Sequence, residues 1–124
     1  MSNDRFQAAL GCQSQSVPPI WMMRQAGRYQ KRYRALREKH SFMDLCKVPE
    51  LAAQTACNAV EDFDFDLAIL FSDLLFPLEA LGLGLTYNPG PVLSRSLDAS
   101  ILASAPPVAE AISSVEFQRS ALQA

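Results

Sequence analysis

Histidine is almost missing from this chain: His40 is the only one in 124 residues. Three cysteines, Cys12, Cys46 and Cys57, form no CxxC pair. One histidine, three scattered cysteines and dispersed acids cannot be assembled into a metal site. Charge of one sign is also lacking, since the formal net charge is −2. Bulk charge therefore makes no case for a nucleic-acid or membrane partner. Long apolar runs are absent as well. The longest, Leu67 to Phe71, is far too short to span a bilayer. The opening residues, MSNDRFQAAL, have no basic stretch followed by an apolar one, so no secretory leader is expected and the cysteines read as reduced cytoplasmic thiols. Gly82-Leu83-Gly84 lacks the third glycine and the strand-to-helix setting of a dinucleotide motif.

What is present is a single globular unit's worth of apolar residues, 49% of the chain. The stretch Pro18 to Tyr33, PPIWMMRQAGRYQKRY, holds the only tryptophan and opens a basic cluster. Val17 to Met23 is a short apolar run bounded by turn residues, which predicts a buried strand. Arg24, Gln25, Ala26, Gly27 and Arg28 follow, with Gly27 expected at a sharp turn or a close approach to ligand. A guanidinium is planar, always charged and binds carboxylate or phosphate through paired hydrogen bonds. Two of them at the carboxyl end of a strand suit a polyanion; two arginines four apart also suit a solvated helix face. From Arg24 to Lys39 there are seven Lys and Arg against one acid, Glu38. Residues 30–39 hold good helix formers, so Lys31, Arg32, Arg34 and Arg37 read as a solvated face.

Other local signals are clear. Asn3 or Asp4 can cap a helix that runs to Leu10 and ends at Gly11. Ser41 and Asp44 have capping-box spacing. Pro49 suits a first helical turn, and Ala52, Ala56, Ala59, Val60 and Phe63 then share one face of a helix ending near Phe63. The acids of EDFDFD (Glu61, Asp62, Asp64, Asp66) read as a solvated turn. Leu67 to Phe71 predicts a parallel strand covered on both faces. Asp73 at its end is either a helix cap or a site residue. A helical turn over 74–81, a strand over 85–87, a loop over 88–91, an irregular stretch over 92–104 and a last helix opened by Pro106-Pro107 complete the chain. Phe42 suits packing; His40 suits a surface.

Two blocks, MRQAGRY (residues 23–29) and LAILFSDLLFPLEALGLGL (residues 67–85), stand in order at a set distance. They resemble the N-terminal signatures of the uroporphyrinogen decarboxylase family, and the likeness covers about residues 3–97. The resemblance implies an α/β fold, the N-terminal third of a (β/α)8 barrel, with residues 1–124 as a truncated part of one domain. Such barrels take about 250 residues. It implies removal of four carboxyl groups from the acetates of uroporphyrinogen, giving coproporphyrinogen, with no metal and no organic cofactor. It assigns catalysis to Asp73, Arg24 and Arg28, and substrate binding to Arg24, Gln25, Ala26, Gly27, Arg28, Phe42 and Asp73. Asp73 is implied to accept hydrogen bonds from the pyrrole N–H groups, and Phe42 to lie against the substrate as well as packing. A tetrapyrrole partner, a homodimer of the whole enzyme and a cytoplasmic location come with it. The family usually has Leu-Pro-Glu where this chain has Gln30-Lys31-Arg32, and Gly where it has Asp64. Two other readings stand beside this one: a non-catalytic truncated product, and a corrinoid-dependent methyltransferase of the same superfamily.

Overall fold

The computed structural model describes residues 3–124. The N-terminal helix α1 (Asp4–Leu10) starts where Asn3 accepts the N–H of Phe6 and ends at Gly11. Helix α2 (Lys31–Lys39) follows the arginine loop, and α3 (Phe42–Lys47) opens on the complete Ser41/Asp44 capping box. Helix α4 (Pro49–Phe63) begins on its proline and ends at Asp64, which takes the left-handed conformation (φ 52°, ψ 43°). Aspartate is among the few side chains that enter that region without a large penalty. Then come α5 (Phe76–Ala80), an antiparallel hairpin of β1 (Leu85–Tyr87) and β2 (Pro91–Leu93), α6 (Ala99–Ala103), α7 (Val108–Ser113) and α8 (Glu116–Ala121). No described helix is long and apolar enough to cross a membrane.

The core is built by helices rather than by a sheet. Helix α4 packs on α3 and α8. Its buried face is Ala52, Thr55, Ala56 and Ala59, while Phe63, expected on that face, is 47% exposed. Small residues let the helix axes approach closely, and Thr55 satisfies its hydroxyl on the Leu51 carbonyl at 2.7 Å. Cys46, Phe76 and Leu85 form a buried cluster, with Phe42, Phe71, Tyr87 and Phe117 packed against it. Phe117 meets Phe76 edge-on at 5.2 Å. Lys47 lies over the Phe76 ring and pairs with Glu79 at 2.7 Å.

Both expected strands of the barrel core are corrected. Val17 to Met23 and Leu67 to Phe71 form no ladder, and the hairpin is the only sheet among the described residues. The two runs do meet where the second begins, through a single backbone bond from Asp66 N–H to the Ile20 carbonyl (3.1 Å). A parallel strand is stabilised by hydrogen-bonded neighbours along its length. Here those neighbours are missing among the described residues, and Trp21 and Ile69 stay exposed. Residues 92–104 are more ordered than expected, holding part of β2 and all of α6. Asp98 nucleates α6 by accepting the N–H groups of Ser100 and Ile101. The predicted last helix is two, broken at Ser114-Val115.

The acidic turn is also not simply solvated. Asp66 is buried and takes hydrogen bonds from Asn3 Nδ2 (2.9 Å) and the Ile20 N–H (2.8 Å), with Arg5 paired at 2.9 Å. These donors hold its carboxyl below the usual range, Asn3 most strongly. Glu61 and Asp62 both pair with Arg32 of α2. A carboxyl depressed in the folded state contributes stability above its unfolded pKa of about 4, and loses it as pH falls through the folded value. Asp66→Ala removes the acceptor for three donors. We expect a melting temperature lowered by about 5 °C or more at pH 7, with the gap to wild type closing below pH 4. Melts across pH 2.5–7 check this; equal melting at pH 7 would show that the clamp is unimportant.

Candidate functional site

The loop between residues 22 and 30 is held mainly by its own side chains. Gln25 is buried; its Oε1 accepts the Met22 N–H (3.3 Å) and its Nε2 donates to the Leu67 carbonyl (3.0 Å). It thus ties the arginine loop to the start of the second apolar run. Gln30 is also buried and accepts the Gly27 N–H on Oε1 (3.0 Å), and the Gln30 N–H returns to the Gly27 carbonyl (3.0 Å). The Tyr29 hydroxyl donates to the Gln25 carbonyl. The left-handed residue of this loop is Arg24 (φ 61°), not Gly27. A Cβ on Gly27 would meet the Tyr29 ring at 3.5 Å, an ordinary contact. Gly27 does stand at a sharp turn, the one closed by the Gln30 N–H on its carbonyl, but without the positive φ that only glycine takes freely. Arg24 itself carries the strain, about 1–2 kcal/mol for a residue with a Cβ.

Two concavities adjoin here. The larger, about 590 Å³, is walled by Arg28, Tyr33, Arg37 and Phe42 and by the hairpin from Tyr87 to Pro91. The smaller, about 380 Å³, adds Arg24, Ala26, Gly27 and Phe71. Arg28, Tyr33 and Phe42 belong to both, so they form one cleft with two lobes. Phe42 lies tilted against Tyr87 (53°, centroids 4.8 Å apart) and meets Phe71 edge-on at 6.0 Å. Phe42 thus packs against the aromatic cluster and lines the cleft.

Of the residues singled out in the sequence, Arg24, Ala26, Gly27, Arg28 and Phe42 line this cleft. Gln25 and Asp73 do not. Gln25 is the brace beneath. Asp73 accepts the Leu75 N–H at 2.7 Å, capping the turn into α5. Its carboxylate also acts on two neighbours of the aromatic wall. Tyr87 is raised above the ordinary phenol range, first by burial and then by Asp73. Cys46 is pushed up to about 12 by burial and by Asp73, so it is an inert core thiol. The Tyr87 hydroxyl is buried with no partner in hydrogen-bonding geometry.

Tyr33, Arg37 and Tyr87 were not picked out from the sequence as wall residues. The one signal was the i, i+4 spacing of Tyr33 and Arg37, which puts both on one helix side. Among the described residues no group of three His, Cys, Asp or Glu is placed to hold a metal ion.

A profile of the family described as uroporphyrinogen decarboxylase matches residues 1–122. The chain belongs to the uroporphyrinogen decarboxylase family. The match extends beyond the two signature blocks into α7 and α8. Relatives named uroporphyrinogen decarboxylase include those of Protochlamydia amoebophila (47% identical over 97 residues) and Anaeromyxobacter dehalogenans (54% over 86). That of Chloroflexus aurantiacus is 46% identical over 110 residues. These alignments cover 77%, 69% and 84% of this chain but only 27%, 25% and 31% of the relatives. The chain thus spans roughly a quarter to a third of the length of the uroporphyrinogen decarboxylases it matches.

Proposed function

We propose that residues 1–124 are the N-terminal part of a single (β/α)8 domain that decarboxylates uroporphyrinogen to coproporphyrinogen. The observation that carries this reading is the placing of Arg24 and Arg28 around one cleft beside the Phe42 face. A tetrapyrrole with acetate and propionate arms needs such a pairing: cations for the carboxylates and an aromatic surface for the rings. In each turnover the acetate C–C bond breaks and carbon dioxide leaves. The electron pair passes into a pyrrole protonated at a ring carbon. A proton then completes the methyl group, and the ring carbon gives up its own. Each acetate thus takes up one proton net, and the substrate's own ring is the electron sink. The role carried over from the family for Asp73 is to accept the pyrrole N–H groups and offset the positive charge that develops. That role needs the rest of the barrel to bring the substrate to it, since in residues 3–124 Asp73 lies outside the cleft and caps the turn into α5. Arg24 and Arg28 clamp carboxylates, while Gln25, Ala26 and Gly27 shape the loop between them. This reading carries with it no metal and no organic cofactor, a cytoplasmic location, a homodimer of the whole enzyme, and neither nucleic acid nor membrane as partner.

Arg28→Lys tests the clamp. Lysine keeps the charge but cannot form the paired fork. Uroporphyrin, the oxidised octacarboxylate, should quench Trp21 fluorescence on binding the chain. We expect Arg28→Lys to weaken that binding about tenfold with an unchanged melt. Equal affinity in the variant would remove Arg28 from the site.

A further inference from the structure

Arg34 sits on α2, whose basic residues the sequence places on a solvated face. It is exposed, as expected there, and its Nη1 reaches back past the start of the helix. It donates to the carbonyl of Arg28 (3.0 Å) and to that of Tyr29 (2.7 Å). These successive carbonyls belong to the turn that presents Arg28 to both lobes of the cleft. The neighbouring bonds of the same loop, Gly27 N–H to Gln30 Oε1 and the Tyr29 hydroxyl to the Gln25 carbonyl, join neutral groups. A charged donor makes hydrogen bonds roughly twice as strong as neutral ones. One guanidinium spanning two carbonyls also fixes the peptide plane between them.

We propose that Arg34 is a positioning residue for the carboxylate clamp: by holding the Arg28 and Tyr29 carbonyls it sets the backbone from which the Arg28 guanidinium reaches the cleft. The inference rests on the tetrapyrrole reading only for the identity of the ligand. Arg37, one turn further along α2, is tied differently, with Nη1 on the His40 carbonyl, so it cannot take over this task. Both bonds leave one nitrogen, Nη1, and the lysine ammonium stands one bond nearer the backbone, so a lysine at position 34 would keep the positive field of the helix but stop short of the two carbonyls. Charge attraction and positioning therefore separate in the Lys variant.

The test uses the chain itself with Arg34→Lys and Arg34→Gln. Amide hydrogen exchange is followed at Gly27 and Gln30, with the α4 amides as a reference for global folding. Uroporphyrin affinity is measured on the same samples. We expect exchange at Gly27 and Gln30 to rise about tenfold in both variants while α4 is unchanged. Affinity should fall about tenfold, with Lys little better than Gln. Unchanged exchange at the loop overturns the clamp. Raised exchange with wild-type affinity, wild-type affinity restored by Lys, or a parallel rise across α4 each overturns positioning in favour of a general structural or charge role. Failure of the wild-type chain to bind uroporphyrin overturns the tetrapyrrole reading, and with it the binding half of this proposal; the exchange arm still decides the clamp separately.

Discussion

Incubated with uroporphyrinogen, the 124-residue chain alone should form no coproporphyrinogen above the uncatalysed background. Joined in frame to the remaining part of the Chloroflexus relative, it should restore turnover. The cleft supplies cations and an aromatic wall from one side, and elsewhere in the chain Ile20, Trp21, Met23 and Ile69 stand open to solvent. Decarboxylation requires that the electron pair left behind, and the cationic pyrrole that receives it, be stabilised in a water-excluded site, where fixed dipoles are worth far more than in water. An open cleft with Arg24 and Arg28 both exposed can bind carboxylates but leaves them hydrated. Rate accelerations of this kind need about 8 kcal/mol or more of transition-state stabilisation, beyond what two exposed guanidiniums provide. Product analysis by chromatography reads the outcome. Coproporphyrinogen formed by the chain alone would overturn the argument, and so would an inactive chimaera that folds with a normal melt.

Asp73→Asn, made in that chimaera, should lower turnover about 10²–10³-fold, the loss typical of removing one preorganised electrostatic stabiliser. Its particular value lies in what it leaves intact. Asp73 has a structural role, accepting the Leu75 N–H at 2.7 Å. Asparagine keeps an oxygen in that place, so the turn into α5 survives and the melt should stay within about 0.5 kcal/mol of wild type. What disappears is the negative charge, and with it the proposed offset of a cationic pyrrole. Asp73→Ala, by contrast, should lose both the cap and the rate. Parallel measurement of turnover and melting for the two variants separates the roles. Near-normal turnover in Asp73→Asn would assign the residue to capping alone.

Much of the local structure was legible from neighbours in sequence. The Ser41/Asp44 box, the proline opening of α4 and the end of that helix at Asp64 all appear as expected. Each depends on groups a few residues apart, so the chain alone carries the information. The strands were not legible in the same way. Leu67 to Phe71 has the composition of a covered strand, yet a ladder is a property of two segments, and the partner runs are missing among the described residues. Composition states what a segment tolerates; pairing decides what it adopts.

The site divides along the same line. The sequence by itself determined the family, through MRQAGRY and the FSD block, and named Arg24, Arg28 and Asp73, because those motifs are contiguous strings; Phe42, between the two blocks, came only with the family resemblance. Only the tertiary structure decided which of these share a cleft. It tied Gln25 to the Leu67 carbonyl as a brace for the loop, set Asp73 as the cap of the turn into α5, and turned Arg24 rather than Gly27 into the left-handed residue. It left Arg32 and Arg34 on the exposed face expected of them but gave each a partner there, Arg32 on Glu61 and Asp62, and Arg34 on the Arg28 and Tyr29 carbonyls. The physical reason is reach. An arginine side chain spans several ångströms, so its partner is set by whichever carbonyl or carboxylate the fold brings near, and helical spacing records only the direction in which it leaves the backbone.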